Sequence, residues 1–306
     1  MRSTASWTRR DALRLAAALG LAPALSRASG EESMRTRAIP SSGEALPVIG
    51  LGTYEVFDVA GSEEQLENCR TIVDLLLDRG GSLIDSSPMY NRSEGVVGTV
   101  LAAGGRREEA FLATKVWTDG EAAGRRQMQQ SCERMHTDVI DLMQVHNLRD
   151  LDTHFATIRD WQADARIRYS GLTHYRAAAL DDMATAMRRY RPQFIQINYS
   201  LGEREADTRV LPLARDLGIA VLINRPYMAG RLFARVRGRP LPDWATGFAN
   251  SWGQFFLKYI VAHDAVTCVI PATGDPRHML DNLGAGSGPL PDTATRARMV
   301  RFFDAL

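Results

Sequence analysis

A barrel of eight strand–helix units, (β/α)8, the TIM barrel, is the fold class this sequence predicts, and three features predict it. Eight short apolar segments recur along the 306 residues, and stretches with helical periodicity lie between them. No GxGxxG turn follows the first segment, which counts against the structural competitor, a doubly wound open sheet.

In chain order the segments are VIGLGTYEV from Val48, SLIDSSP from Ser82, FLATKVW from Phe111, VIDLMQVH from Val139, RIRYSGLT from Arg166, FIQINYS from Phe194, IAVLINRP from Ile219 and VTCVIPAT from Val266. Their starts lie 34, 29, 28, 27, 28, 25 and 47 residues apart, which is the spacing of a strand plus a helix. The first intervening stretch, from Glu63, sets Leu66, Cys69, Val73, Leu76 and Leu77 on one helical face and stops at Gly80. The long last interval holds an extra segment, GRLFARVRGRPLPDWATG, expected as a loop near the barrel mouth.

Composition narrows the function classes. The hydrophobic content of 45% and charged content of 24% are those of a globular domain, and no apolar run approaches the ~20 residues of a membrane span. Formal charge is +1, but residues 1–30 hold five arginines and one aspartate, leaving 32 basic against 35 acidic residues in the remainder. That balance is no nucleic-acid footprint. Only two lysines, Lys115 and Lys258, occur among 37 basic residues, so a lysine that survives this bias is a candidate for required chemistry; Lys258 reads as a snorkelling helix residue. Cys69, Cys132 and Cys268 lack metal spacing and read as buried small hydrophobes.

Residues 1–30 read as an address and residues 31–306 as the barrel domain. Thr8-Arg9-Arg10-Asp11-Ala12-Leu13-Arg14, the apolar run Leu15–Leu25 and Ser26-Arg27-Ala28 together resemble a twin-arginine export signal, with Ala12 where that pattern usually carries Phe. The resemblance implies cleavage near Ala28, passage through the Tat export machinery, a periplasmic location and no stable membrane insertion afterwards.

Barrel enzymes place their chemistry at the C-terminal ends of the strands. Those ends carry Thr53 and Tyr54, Asp85 and then Tyr90, Lys115, His146, Thr173-His174, Gln196, Asn224-Arg225 and Thr273. Singly, each has a structural reading: Asp85 as a cap, Lys115 as an ion-pair partner, His146 as a core histidine. Together they say more. A lysine inside a barrel needs a carboxylate partner, which Asp85 supplies, and an ammonium beside a tyrosine stabilises phenolate and lowers a pKa that starts near ~10. Such a tyrosine is a general acid for a carbonyl oxygen that gains charge when a hydride arrives.

These residues resemble the aldo-keto reductase family over roughly Ile39 to Asn282. IDSSPMYNRSEGVVG is similar to the family segment in which an aspartate precedes the proton-donating tyrosine by five residues, here Asp85 and Tyr90. ATKVW is similar to the strand bearing the family lysine, Lys115, and DLMQVHN to the strand ending in the substrate-orienting histidine, His146. LPVIGLGTYEV resembles the opening strand that approaches the nicotinamide ribose, so Gly52, Thr53 and Tyr54 carry over.

The resemblance implies NADPH, with NADH as the other candidate, and a small carbonyl substrate. Thr173-His174 stand where the family often has Ser-Asn on the carboxamide; Gln196, its usual third contact, is present. Asn224-Arg225 stand where many members stack an aromatic ring, and Ala272 where many carry a phosphate-binding lysine. That leaves Thr273, Arg277 and His278 for an adenosine phosphate, with Asn282 for adenine. His136, His154 and His263 read as structural, and no zinc site is expected. Tyr54, Trp117 and Trp244, in the loops 54–59, 117–120 and 230–247, are candidate pocket walls. Two further functions compete with a reductase: a Schiff-base aldolase using Lys115 as nucleophile, and a noncatalytic nicotinamide-binding sensor or regulatory subunit.

Overall fold

The computed structural model describes residues 33–306. The expected export signal, residues 1–30 with cleavage expected near Ala28, lies outside the described residues.

Strands β1 (Thr36–Ala38) and β2 (Ala45–Pro47) form an antiparallel hairpin. Eight parallel strands follow in sequence order: β3 (Leu51–Gly52), β4 (Leu83–Asp85), β5 (Phe111–Val116), β6 (Ile140–His146), β7 (Ile167–Thr173), β8 (Phe194–Asn198), β9 (Ala220–Asn224) and β10 (Cys268–Val269). Parallel bridges from Ile49 to Val269 and from Gly52 to Ala272 bring the last strand back to the first and close the barrel. All eight strands fall in the segments the spacing predicts. Gly52 is required by this closure, because a Cβ there would stand 2.9 Å from the Ile270 carbonyl oxygen.

Helices α1 (Glu63–Asp78), α2 (Ser93–Gly104), α3 (Glu121–Arg134), α4 (Leu151–Ala163), α5 (Leu180–Tyr190) and α6 (Val210–Leu217) fill the first six crossovers. The α1 boundaries show why the sequence was readable. Ser62 accepts from the Gln65 N–H in a capping box, and at the far end Gly80, with φ +79°, donates to Leu77 while Gly81 donates to Leu76. Cys69, Val73, Leu76 and Leu77 are buried as expected, whereas Leu66 is only half-buried.

The seventh crossover is longer. Its extra segment is more than a loop, holding the short helix α7 (Arg231–Arg235) and a 3-10 turn (Asp243–Ala245) before α8 (Trp252–Val261). Two readings are corrected here. Trp244 lines no mouth, because its ring lies against Phe248, Phe255 and Phe302, the last on α10 (Thr293–Asp304). Lys258 does not snorkel to water: it is buried, and its ammonium donates to the carbonyls of Ser287 (2.6 Å) and Pro289 (3.1 Å). The three cysteines are free and buried, as expected of small hydrophobes.

The hairpin was not foreseen, since two three-residue strands give too short an alternation to read. It brings Ile39 and Leu46 against inward side chains from the N-terminal part of the barrel, among them Leu83, Phe111, Tyr169 and Phe194. One end of the barrel is therefore filled with hydrocarbon, and the polar interior positions gather at the other. No helix among the described residues is long and apolar enough to cross a membrane.

Candidate active site

Strand parity places the site. Leu83, Ala113, Leu142, Phe194 and Leu222 belong to the interior cluster, so positions two residues further along each strand face inward as well. Those positions are Asp85, Lys115, Gln144, Gln196 and Asn224, and Thr173 and His146 follow by the same alternation. The interior thus changes from hydrocarbon to polar within one layer.

Asp85 anchors that layer. Its Oδ2 accepts from Lys115 Nζ at 2.7 Å, and its Oδ1 accepts from Gln196 Nε2 at 2.8 Å and Gln144 Nε2 at 3.1 Å. Lys115 has no exposed surface and donates a second time, to the Ser86 carbonyl at 2.6 Å. Burial alone pushes an ammonium pKa down, but Asp85 and Tyr90 more than offset it, and the net direction is up. Lys115 is therefore a held cation. Gln144 was missed in the sequence, although it stands two residues before His146 on the same face. It needs room, and Gly171 gives it: a Cβ there would lie 2.9 Å from Gln144 Cγ.

Tyr90 arrives on a turn. The backbone N–H of Tyr90 donates to the Ser87 carbonyl at 3.0 Å, with Pro88 at the position where proline suits a four-residue turn. Lys115 Nζ lies 4.8 Å from the Tyr90 ring centroid, close enough for its charge to act on the phenol. The expected fall in the tyrosine pKa is corrected by the structure. Burial raises it by more than the Lys115 ammonium lowers it, so the phenol stays protonated well past neutrality. The lysine's pull remains available to the phenolate formed once the proton has left.

His146 closes β6 beside this pair, its ring 6.2 Å from Tyr90 and 6.4 Å from Trp117. Burial, then the charge of Lys115, depresses its pKa to about 3, so the imidazole is neutral at any physiological pH. Tyr54, edge-on to Tyr90 at 5.0 Å, is 54% exposed, and Trp117 stands beside His146. His154 is a brace, with its Nε2 2.7 Å from the Thr118 carbonyl oxygen in the Trp117 loop. Among the described residues no cluster of His, Cys, Asp or Glu is placed to hold a metal ion.

The expected cofactor contacts divide into two groups. At the strand ends, Thr173 Oγ1 donates to Gln196 Oε1 at 3.1 Å, and Asn224 Nδ2 donates to the same oxygen at 3.3 Å. The Asp85 carboxylate needs donors, which turns the Gln196 amine toward it and the Gln196 oxygen toward Asn224. The Asn224 amine is then taken, and its Oδ1 is left buried with no hydrogen-bond partner. Such an orphan acceptor fits the N–H donors of a nicotinamide carboxamide. His174 stacks on Tyr175 at 5.7 Å, and the Arg225 guanidinium stands 5.8 Å from the same tyrosine ring.

The second group lies at the start of α9 (Pro276–Leu283). Asp275 caps this helix by accepting from the Arg277 N–H at 2.8 Å, and it also accepts from Arg277 Nη2 at 2.7 Å. Thr273 Oγ1 accepts from the Asp275 N–H at 3.1 Å. Arg277 is exposed but already paired with this carboxylate, while Asn282 is buried and accepts from the Tyr227 hydroxyl at 2.5 Å.

Comparison with known proteins agrees with the family that the sequence resembles. A model of the aldo/keto reductase family matches residues 48–297. Aldo-keto reductase YhdN of Bacillus subtilis (strain 168) is 29% identical over 219 residues, covering 66% of this chain; the chain spans 65% of YhdN's own length. Methylglyoxal reductase YeaE of Escherichia coli (strain K12) is 27% identical over 259 residues, covering 81% of this chain and 89% of that protein. A crystal structure of an aldo/keto reductase from Klebsiella pneumoniae, solved with NADP and acetate, superposes with a TM-score of 0.74 at 24% identity, covering 90% of this chain and 96% of that one. This likeness carries the fold.

Proposed function

The chain belongs to the aldo/keto reductase family, and on that premise we propose that it reduces an aldehyde or ketone to an alcohol, with NADPH as the hydride donor. One observation carries the reading: a protonated Tyr90 coupled to a buried Lys115 that Asp85 keeps charged, beside a neutral imidazole. The bound cofactor supplies the hydride to the carbonyl carbon. Tyr90 donates its hydroxyl proton to the carbonyl oxygen, and Lys115 stabilises the resulting phenolate. Neutral His146 donates a hydrogen bond that orients the same oxygen, and Tyr54 and Trp117 exclude water around it. Thr173, Gln196 and Asn224 form the carboxamide side of the site, with His174 and Arg225 beside it. Gly52, Thr53, Arg277 and Asn282 complete the cofactor contacts.

The Schiff-base reading of Lys115 is disfavoured because a nucleophilic lysine must be neutral and reachable, and this one is charged, fully buried and hydrogen-bonded twice. A sensor without catalysis has no need of this coupled pair. Oxidation of NADPH followed at 340 nm (roughly, the reduced nicotinamide band) against a panel of small carbonyls, 2-oxoaldehydes included because YeaE is a methylglyoxal reductase, tests the proposal. No turnover with any of them under NADPH or NADH would sink it.

Cofactor preference follows from α9. Arginine suits a 2′-phosphate through its fork of donors, but Asp275 holds Arg277 and opposes the phosphate charge, so the preference for NADPH over NADH is modest. Asp275→Asn keeps an N-capping oxygen and removes the charge. The ratio of NADH to NADPH dissociation constants, measured by fluorescence titration, should rise several-fold in this variant; an unchanged ratio places the phosphate elsewhere.

We also propose that residues 8–28 direct twin-arginine export to the periplasm, on the strength of Arg9-Arg10, the short alanine-rich run and the small residues near Ala28. Changing Arg9-Arg10 to Lys-Lys should strand the protein in the cytoplasm, as read by cell fractionation. Normal export of that variant sinks the assignment.

A further inference from the structure

We propose that Ser87 is a positioning residue that fixes His146 as the neutral tautomer with its hydrogen on Nε2, and that the turn carrying Tyr90 thereby also orients the imidazole. The inference rests on the reductase reading, in which His146 donates to the substrate carbonyl.

The backbone prepares Ser87 for this task. It has no exposed surface, and as the residue before Pro88 it is biased to extended conformations. Its carbonyl accepts from the Tyr90 N–H at 3.0 Å, and its Oγ accepts from the Met89 N–H at 3.2 Å. The side chain is thus held from the next residue but one, as in turns closed by serine hydroxyls. From that position Oγ lies 3.3 Å from His146 Nδ1.

Direction follows from counting hydrogens. A serine hydroxyl has one hydrogen and two lone pairs, and the Met89 N–H occupies one of the lone pairs. Were His146 to carry its hydrogen on Nδ1, it would donate to Ser87 Oγ, and the buried Ser87 hydrogen would need an acceptor. Among the described residues, Oγ has only Met89 and His146 as partners. An unsatisfied buried O–H is disfavoured, so the hydroxyl donates to Nδ1 and Nε2 keeps the hydrogen. The ring is neutral, so exactly one nitrogen carries it. A single turn therefore delivers the general acid and sets the donor face of the group that orients its target. Ser86, one residue earlier, takes no part in this contact: its hydroxyl faces Thr53 and its carbonyl faces Lys115.

The test is to read the tautomer directly. Two-bond 1H–15N correlation spectra of 15N-histidine-labelled full chain, bound to NADP+, with His146 assigned from a His146→Gln sample, should show His146 in the Nε2–H form from pH 6 to pH 8 (about a unit either side of neutrality). In Ser87→Ala the preference should be lost, kcat/KM should fall about tenfold, the size of one neutral hydrogen bond, and NADPH affinity should hold. An Nδ1–H tautomer in the unaltered protein overturns the proposal, with no variant needed. So does a Ser87→Ala protein that keeps both the tautomer and kcat/KM, or one that loses melting temperature and NADPH affinity while the tautomer stays put. Because the spectrum needs no turnover, failure to reduce any carbonyl overturns the reductase reading separately.

Discussion

Tyr90→Phe is expected to lower kcat for carbonyl reduction by at least ~10²-fold while leaving NADPH affinity within about twofold. The substitution removes one oxygen and keeps the ring that stands edge-on to Tyr54 and beside His146, so the pocket retains its shape. What disappears is the proton, and His146 cannot replace it. Depressed to about 3, that imidazole carries no proton it can release at neutral pH without becoming an anion. The unaltered enzyme's reduction rate should stay flat through neutral pH and fall only when Tyr90 ionises. Burial moves that ionisation above the ordinary tyrosine value, so the fall lies on the alkaline side of about 10. Steady-state kinetics across pH on both proteins checks this. Parental activity in Tyr90→Phe, or an acid-side loss that tracks a histidine, removes Tyr90 from the acid's role.

Why the site was legible and its setting less so follows from what each residue requires. Asp85, Tyr90, Lys115 and His146 are reactive types at the ends of successive strands, where their chemistry and spacing are both one-dimensional information. Gln144 and Ser87 carry no such signal. Their roles depend on which atom of an amide or hydroxyl meets which neighbour, and that is decided by barrel parity and by the turn at Pro88. The pKa of Tyr90 was read in the wrong direction for a related reason: the sequence displays the lysine that lowers it but not the burial that raises it. Trp244 failed as a mouth residue because loop aromatics find the nearest apolar partner, and a patch formed by α8 and α10 lay within reach. Arg277 was legible as a candidate for an adenosine phosphate, yet only the structure shows it already joined to Asp275.

Lys115→Met is expected to abolish reduction and to destabilise the barrel, and a second substitution separates the two effects. The Lys115–Asp85 pair is sealed from water on both sides, with side-chain exposures of 0% and 4%. Removing one partner leaves the carboxylate with only the neutral donors of Gln144 and Gln196, a change that costs about 3–5 kcal/mol for a buried pair and is large beside the ~5–15 kcal/mol stability of a typical domain. The pH sign agrees. Lys115 has a folded pKa above its unfolded one, so its contribution to stability is fully present below the unfolded value near ~10.4 and is lost as pH rises through the folded one. Asp85→Asn combined with Lys115→Met removes both charges and leaves an amide that can still bond Gln144 and Gln196. Melting temperature and the denaturation midpoint should recover most of the loss in this double variant, because no unpaired charge remains. Activity should not recover, since the phenolate formed at Tyr90 would still lack its cation. Thermal and denaturant unfolding of the three proteins, set beside their kcat values, decides the matter. If the double variant regains reduction together with stability, Lys115 serves the fold alone and Tyr90 needs no cation.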